Sequence, residues 1–500
     1  MVSRWYIYQQ VENLDEILVK TLFSLGGFVS NKIQALLFGA GDRGLGAYGQ
    51  YALLHPEEIQ FVAVAEPNQS RREHFAELHK IPPSACFETW DQALEAGKIA
   101  DVVVNCTLDQ MHYKSGVAAL NLGYDMLLEK PICHTLKKTI NLIKTAEKLD
   151  RKLMICHVLR YTDFFRKVHE ILHSGKLGQI ITISWRENVA AHHMAHSYVR
   201  GNWRSTKTAV PMILAKSCHD LDLLYWLIGE PVRTLSSVGN LRHFRPENAP
   251  KGAPQRCTDG CPAAADCPFY APAVYVDLVP IKNMIARSKN KLHRSLAKMS
   301  LQNPTLTKSI GKLSAQVRQL TEYKGWPRSV ITDNPGSDEA VLHALKEGPY
   351  GRCVYYCDND VVDHQIVNME FNSGLSVTFT MHGHSHEEGR TLRIDGSHGT
   401  LLGKFSMGHS FIEVWNHRGA MEERIDFPSE LESNSGHGGG DFGLMQAFIK
   451  SLHGEKEALT GASHALESHL MAFAAEEARI SRNTIDMRKF KKANKCEVSN

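Results

Sequence analysis

Ile33-Gln34-Ala35-Leu36-Leu37-Phe38 runs directly into Gly39-Ala40-Gly41-Asp42-Arg43-Gly44, and a second apolar run, Phe61 to Ala65, ends in Glu66. The pattern predicts a strand, a tight turn and a helix. Gly39 permits the turn, Gly41 lets the backbone approach a pyrophosphate, and Gly44 lets the helix pack closely on the strand, with its N-terminus toward the phosphates. Asp42 and Arg43 complete the loop. Glu66 is then placed to accept hydrogen bonds from the adenosine ribose hydroxyls of a bound dinucleotide. An ordinary glycine turn shares the glycine spacing; the preceding strand and the acidic residue that follows favour the dinucleotide loop.

The rest of the composition is compatible with such a protein. Of 500 residues, 43% are hydrophobic and 22% charged, which describes a globular chain with room for two or three domains. A net charge of +3 is too mild to make nucleic acid or a membrane the main partner, and a small molecule is expected instead. No stretch approaches the length of a bilayer span. Glu12, Asp15 and Glu16 precede the short apolar patch from Leu22 to Val29, which is not the order of a signal peptide, so a cytoplasmic location is expected. Eleven cysteines fit free thiols and a metal site better than a disulfide framework.

Leu14, Ile17, Leu18 and Leu22 recur at helical spacing, predicting an amphipathic helix over residues 11 to 24 within an N-terminal extension, 1–31. From 32 to 158 short β-rich runs (Ile33 to Phe38, Phe61 to Ala65, Val102 to Cys106, Met126 to Leu128, Leu153 to Cys156) alternate with helical segments such as Arg71 to His79 and Met111 to Leu122. That rhythm predicts a doubly wound parallel sheet covered on both faces. Beyond it, 159–490 shows strand-like alternation at Gln179 to Trp185, Gln365 to Phe371, Leu375 to Met381, Thr391 to Ile394 and Phe411 to Trp415, with Asn372-Ser373-Gly374 as a hairpin turn. A C-terminal α+β domain with a mainly antiparallel open sheet is expected, closed by helices at Asp441 to Leu452 and Ser463 to Arg482. Two insertions interrupt it. One, 245–275, is rich in Pro, Gly and Cys; the other, 281–328, is basic and predicts two amphipathic helices broken near Asn303-Pro304.

Ligands of doubly wound sheets bind outside the carboxyl ends of the strands, so Thr107, His112 and Glu129-Lys130-Pro131 are expected beside the cofactor. Lys130, partly desolvated beside a positively charged nicotinamide, is suited to exchanging protons with a substrate hydroxyl, although a surface lysine ahead of a helix has the same local sequence. Downstream, His193, His196, Trp203 and Arg204 follow a predicted strand and could meet a polyhydroxylated ligand, Trp203 by stacking and Arg204 as a forked donor; a solvent-facing loop is the alternative. Arg160 is expected where the two domains meet, among the substrate contacts. Cys257, Cys261, Cys267 and Cys353, with Cys357 beyond them, could clip a loop-rich insertion with structural zinc or remain buried thiols; no catalytic metal is expected.

The glycine loop, the acidic end of the second strand, Glu129-Lys130-Pro131 and His219-Asp220-Leu221-Asp222 ahead of an apolar helix together resemble the Gfo/Idh/MocA oxidoreductase family. That resemblance implies that the doubly wound sheet is a Rossmann domain, with NAD(P)-dependent hydride transfer on sugars, polyols or cyclitols in a cleft between the domains, and assembly through the open sheet into a homo-oligomer. It assigns the family's lysine to Lys130 and its active-site histidine to His219. The aspartate common four positions earlier in the family is here Ala215, followed by Lys216. If the stretch begins a helix, Lys216 and His219 face one cleft and each lowers the other's proton affinity. Asp222 is placed with the substrate contacts. Glu66 points to NAD, while Arg71 and Arg72 keep NADP open. Two other readings stand beside the dehydrogenase: an NAD-recycling hydrolase or lyase that oxidises transiently, eliminates and reduces again, and a non-catalytic NAD-binding regulator.

Overall fold

The computed structural model describes residues 32–287, 290–311, 317–318, 322–428 and 437–496. The helix expected over residues 11 to 24 lies outside them, as do Leu313 and Leu320. The described residues fall into two compact units, one within Met1–Asp163 and Glu432–Leu466, the other within Phe164–Leu431 and Glu467–Asn500.

In the first unit β1 (Ile33–Phe38), β2 (Ile59–Ala65), β3 (Cys86–Phe87), β4 (Val102–Asn105), β5 (Asp125–Leu128) and β6 (Leu153–Ile155) form a parallel sheet of order β3-β2-β1-β4-β5-β6. Leu36, Leu37 and Phe38, then Val103 and Val104, then Met126, Leu127 and Leu128 are fully buried. These runs are continuously apolar because a parallel sheet is covered on both faces. Helices Gln69–His79 and Leu136–Lys148 are capped by the side chains of Asn68 and Thr135, which accept from Arg71 N and Lys138 N. Strand order reverses between β1 and β4, so the carboxyl ends of all the strands open on one edge around that switch point.

The chain comes back to this unit long after leaving it. Helix Gly440–Leu452 lies against the turn Val158–Tyr161, and a Cβ on Gly440 would stand 2.4 Å from the Val158 carbonyl oxygen, one on Gly443 2.9 Å from Tyr161 Cβ. Glycine at these positions is what lets the helix approach so closely. Ile155 N donates to Thr460 O at 2.9 Å, and Met154 bridges Gly461, which covers the free edge of β6. The helix also brings Asp441, 1% exposed, to Arg43 of the glycine loop, with Nη2 to Oδ1 at 2.8 Å and Nη1 to Oδ2 at 3.2 Å. Sequence order alone puts this helix with the C-terminal domain; close packing and a buried ion pair hold it to the first unit.

The second unit is built on a sheet of order β14-β13-β12-β11-β7-β10-β9-β8-β15, from β7 (Ile180–Ala190), β8 (Val232–Asn240), β9 (His364–Phe371), β10 (Ser376–Ser385), β11 (Gly389–Gly396), β12 (Gly399–Ser406), β13 (Ser410–Asn416), β14 (Met421–Phe427) and β15 (Ile485–Asp486). It is antiparallel except for β7 with β10. Ile183, Trp185, Glu187 and Val189 of β7 point inward, while Thr182, Ser184 and Arg186 are exposed, the period-2 pattern of a sheet with one covered face. Insertion helices Lys291–Gln302 and Pro304–Gly311 break at Asn303 as the proline requires. Among the described residues no helix is long and apolar enough to cross a membrane.

Replacing Asp441 with Ala strands Arg43 beside one carboxylate fewer. The expected loss is about 2–3 kcal/mol, below that of a fully buried pair because the Arg43 side chain keeps 25% of its surface exposed. Chemical denaturation of wild type and Asp441→Ala checks this, and an unchanged midpoint contradicts it.

Candidate active site

The glycine loop has the shape its residues demand. Gly39 has φ +86°, and a Cβ there would lie 2.6 Å from the Cys106 carbonyl oxygen. A Cβ on Gly44 would lie 2.1 Å from the Gly39 oxygen, so this glycine sets how closely the helical turn packs under the strand. At Gly41, by contrast, a Cβ would meet nothing within 4 Å. The fold itself does not need a glycine there; a ligand approaching the backbone does. Asp42 is exposed beside it.

Glu66, 6% exposed at the end of β2, accepts from Ala40 N at 2.7 Å and from Asn68 N at 2.9 Å, which ties the carboxylate to the loop and leaves lone pairs for ribose hydroxyls. Arg72 donates to the Glu66 carbonyl at 2.5 Å and pairs with Glu88 at 3.7 Å. Its guanidinium is thereby held by backbone and carboxylate groups rather than held out for a 2′-phosphate.

Along the same edge, β5 delivers Glu129 and Lys130. Glu129 N donates to Asn105 O at 2.9 Å, and the carboxylate accepts from Arg43 Nε at 2.5 Å, Tyr48 OH at 2.6 Å and Lys130 N at 3.2 Å. Burial by itself would raise the Glu129 carboxyl, but Arg43 and Lys130 outweigh it and hold the group below the ordinary range. Lys130 is half-buried, and its peptide with Pro131 is cis. His157, just past β6, is fully buried and kept far below the usual histidine range by burial, with Arg160 and Lys130 adding to it.

Several side chains expected at ligands have other work. Arg43, expected at the cofactor, is occupied by Glu129, Asp441 and Tyr48. His112 is fully buried with Nδ1 2.8 Å from Pro131 O and Nε2 3.0 Å from Thr107 O, so it fastens the ends of β4 and β5 to each other rather than facing a ligand. The Thr107 hydroxyl donates to Asn105 Oδ1 at 2.8 Å. Arg160 is buried and donates to Leu459 O at 2.8 Å, a bond to its own unit's backbone in place of the expected substrate contact.

In the second unit a buried charge cluster joins β7, β11 and helix Cys218–Ile228. Lys216 Nζ lies 2.6 Å from Glu388 Oε1 and 3.3 Å from Glu187 Oε1; Arg390 lies 2.6 Å from Glu187 and 2.8 Å from Asp220, which also accepts from Trp185 Nε1 at 2.9 Å. His193 Nδ1 stands 3.1 Å from Glu388. Three carboxyls face two cations. Burial, reinforced by Asp220 and opposed only in part by Arg390 and Lys216, raises Glu187 from 4.5 to about 8. Its retained proton balances the cluster at neutral pH. The lowered proton affinity expected for Lys216 is reversed: burial would lower it, but Glu388 and Glu187 hold the ammonium far above its ordinary value. A residue clamped in this way is a poor proton donor. His219 is half-buried in the first turn of the helix, one residue past Cys218.

Of the remaining expected substrate contacts, His193 and Trp203 are half-buried. Asp222 is 1% exposed and so is not presented to a ligand. His196 is buried between Tyr350, stacked at 4.7 Å, and the Tyr275 hydroxyl at 3.3 Å, an aromatic core position instead of a binding loop. Arg204 gives its Nε to Asp358 at 3.1 Å, a protein carboxylate where a ligand's was expected. Asp441, Tyr48 and Glu388 are the site residues that sequence reasoning missed. Glu388 carries no motif; Asp441 is signalled by Gly438-Gly439-Gly440 ahead of it, glycines that mark a close backbone approach.

Comparison with known proteins agrees with this architecture. The model described as oxidoreductase family, NAD-binding Rossmann fold, matches residues 33–157, and the Gfo/Idh/MocA C-terminal domain matches 165–264. The chain belongs to the Gfo/Idh/MocA oxidoreductase family. It is 20% identical to the putative oxidoreductase YteT of Bacillus subtilis over 78% of this chain and 81% of that protein. It is 26% identical to an inositol 2-dehydrogenase of Leifsonia xyli over 38% of this chain and 55% of the other. An Agrobacterium radiobacter oxidoreductase, solved with NAD+, L-tartaric acid and magnesium, shares the fold at TM-score 0.59 and 13% identity, covering 92% of this chain and 99% of that one.

Two outcomes test the geometry. Gly41→Ala is expected to leave the unfolding midpoint unchanged while weakening dinucleotide binding about tenfold or more, whereas Gly44→Ala lowers both, read by calorimetric titration and denaturation. Because burial raises native Glu187 to about 8 while the unfolded carboxyl titrates near 4.5, this group adds a slope by which stability falls as pH rises from 4.5 toward 8. Glu187→Gln removes that slope in melting temperature against pH; an identical slope in both proteins would disprove the assignment.

Proposed function

We propose that this oxidoreductase uses NAD to exchange hydride with a hydroxyl-bearing carbon of a sugar, glycoside or cyclitol. What carries the reading is the coincidence of a glycine loop open at Gly41, a carboxylate at Glu66 fixed to that loop, and Lys130 at the same sheet edge. Gly39, Gly41 and Gly44 would hold the pyrophosphate and Glu66 the ribose, and with Arg72 already bonded to the Glu66 carbonyl the set suits NAD better than NADP. The bound nicotinamide supplies hydride acceptance and donation.

The chain's own groups manage the proton. Lys130 Nζ takes the hydroxyl proton as the carbon is oxidised and returns it in reduction, and the family resemblance assigns His219 a part in the proton exchange. Glu129, locked by Arg43 and Tyr48, fixes the backbone from which Lys130 projects. With Lys216 clamped by Glu388, proton exchange falls to Lys130 and His219. The name of the inositol dehydrogenase relative supports a polyhydroxylated substrate. The exposed row Thr182, Ser184 and Arg186 of β7 beside Ser376 and Thr378 of β10 supports assembly of copies through the open sheet face.

Screening sugars, glycosides and inositols with NAD, with NADH absorbance and released aglycone read together, tests the reaction class. Accumulating NADH supports the dehydrogenase; aglycone released without net NADH replaces it with a redox-neutral elimination. On the responsive substrate, Lys130→Met is expected to reduce kcat about 10²- to 10⁴-fold with NAD affinity unchanged. Retained turnover in that variant removes Lys130 from the mechanism.

A further inference from the structure

A second centre lies in the cysteine-bearing insertion, among residues given no role in the proposed reaction. Cys257 and Cys353 are nearly a hundred residues apart, yet Cys257 N donates to Gly351 O and Cys353 N to Gln255 O, each at 2.9 Å, in a short antiparallel bridge between Arg256 and Arg352. Between Cys257 and Cys267 the chain makes tight turns: Ala264 N donates to Cys261 O at 3.2 Å and Cys267 N to Ala263 O at 2.9 Å. These pairings bring Cys257, Cys261, Cys267 and Cys353 to the wall of one small cavity with room for about one water-sized particle.

Arg200 lines the same cavity and is fully buried. Its Nε donates to Arg352 O at 2.7 Å and its Nη2 to Phe269 O at 2.8 Å, with Cys257 Sγ at 3.5 Å. Among the described residues none of these partners is a carboxylate. A buried guanidinium facing carbonyl dipoles, thiols and the Tyr275 ring, 5.8 Å away, lacks a formal counter-charge, and a buried charge is expensive unless one is supplied. Thiols answer this only as thiolates.

We propose that Cys257, Cys261, Cys267 and Cys353 bind one structural zinc ion, with Arg200 beside the anionic tetrathiolate. Binding releases the four thiol protons to solvent and places a net negative centre next to the guanidinium. Among the described residues no three of these sulfurs lie within 4.8 Å of one another, so binding an ion requires the cysteine side chains to move toward the cavity. The stabilisation goes to a segment that needs it. The core around Cys257 contains only Ala271, Val274, Tyr275, Val341, Leu345 and Tyr350 as further buried members, and a core that small is weak without a clip.

Elemental analysis of the purified full-length chain, prepared under reducing conditions with zinc supplied, is expected to find about one zinc per chain. A mercurial that titrates thiols should release it, and cobalt substitution should give intense thiolate-to-cobalt charge-transfer bands. Cys261→Ser with Cys267→Ser is expected to lose the metal and lower the melting temperature, whereas Cys86→Ser in the first unit retains it. Absence of zinc, retention of full zinc in the double variant, bound iron with visible absorption, or disulfides found by thiol counting in the denatured chain each overturn the proposal. The wild-type metal content and cobalt spectrum decide the matter even if the double variant fails to fold.

Discussion

Arg43 is the fixed point of the nucleotide-binding unit. It leaves the glycine loop and is held on one side by Glu129, at the end of β5, and on the other by Asp441, on a helix supplied by a distant part of the chain. Three segments distant in sequence are thereby fixed to one another, with the Tyr48 hydroxyl adding a bond to Glu129. A charge so placed needs both carboxylates: burial disfavours the guanidinium, and Asp441 and Glu129 together restore it. Lys130 is the residue next to one of those carboxylates, so the orientation of its backbone follows from the same interaction. His112 adds a second tie, between the carbonyls of Thr107 and Pro131.

The second unit uses ionisable groups in a different way. Asp220, in the motif that follows the histidine, is spent on Trp185 and Arg390 and anchors its helix to the sheet. The lysine that follows Ala215 is answered by Glu388 on the loop ahead of β11 and by Glu187 on β7. An extra cation at this position is thus neutralised within its own unit. Position 215, four residues before His219, carries an alanine and so offers no carboxylate.

The parallel sheet was legible because its strands are continuously apolar and its turns carry glycine. Observed strands differ from the expected ones by a residue or two at their ends, as for Ile59–Ala65 against Phe61 to Ala65. The strands passed over include Met421–Phe427, a charged edge strand, Gly399–Ser406, in which glycine at 399 and 403 dilutes the signal, Val232–Asn240, and the two-residue Cys86–Phe87 and Ile485–Asp486. Among site residues, those defined by local backbone geometry were readable, Gly39, Gly44 and Glu66 above all. Arg43, His112, Arg204 and His196 were not, because a polar side chain looks the same in sequence whether its partner is a ligand or a protein group far along the chain. Only the fold identifies Asp441, Pro131 and Asp358 as those partners.

The same limitation explains why the cysteine insertion resisted interpretation as a sequence. Spacings of three and five residues between Cys257, Cys261 and Cys267 do not match the common two-residue knuckle, and Cys353 is remote. The decisive feature is a main-chain bridge between Arg256 and Arg352, which no side-chain pattern records. Once that bridge is formed, Arg200 is buried with sulfur on one side and carbonyls on the other. Thiols that keep their protons offer that arginine no charge, and thiolates left without a metal would repel one another. An ion that draws the sulfurs together and keeps them anionic removes both penalties at once.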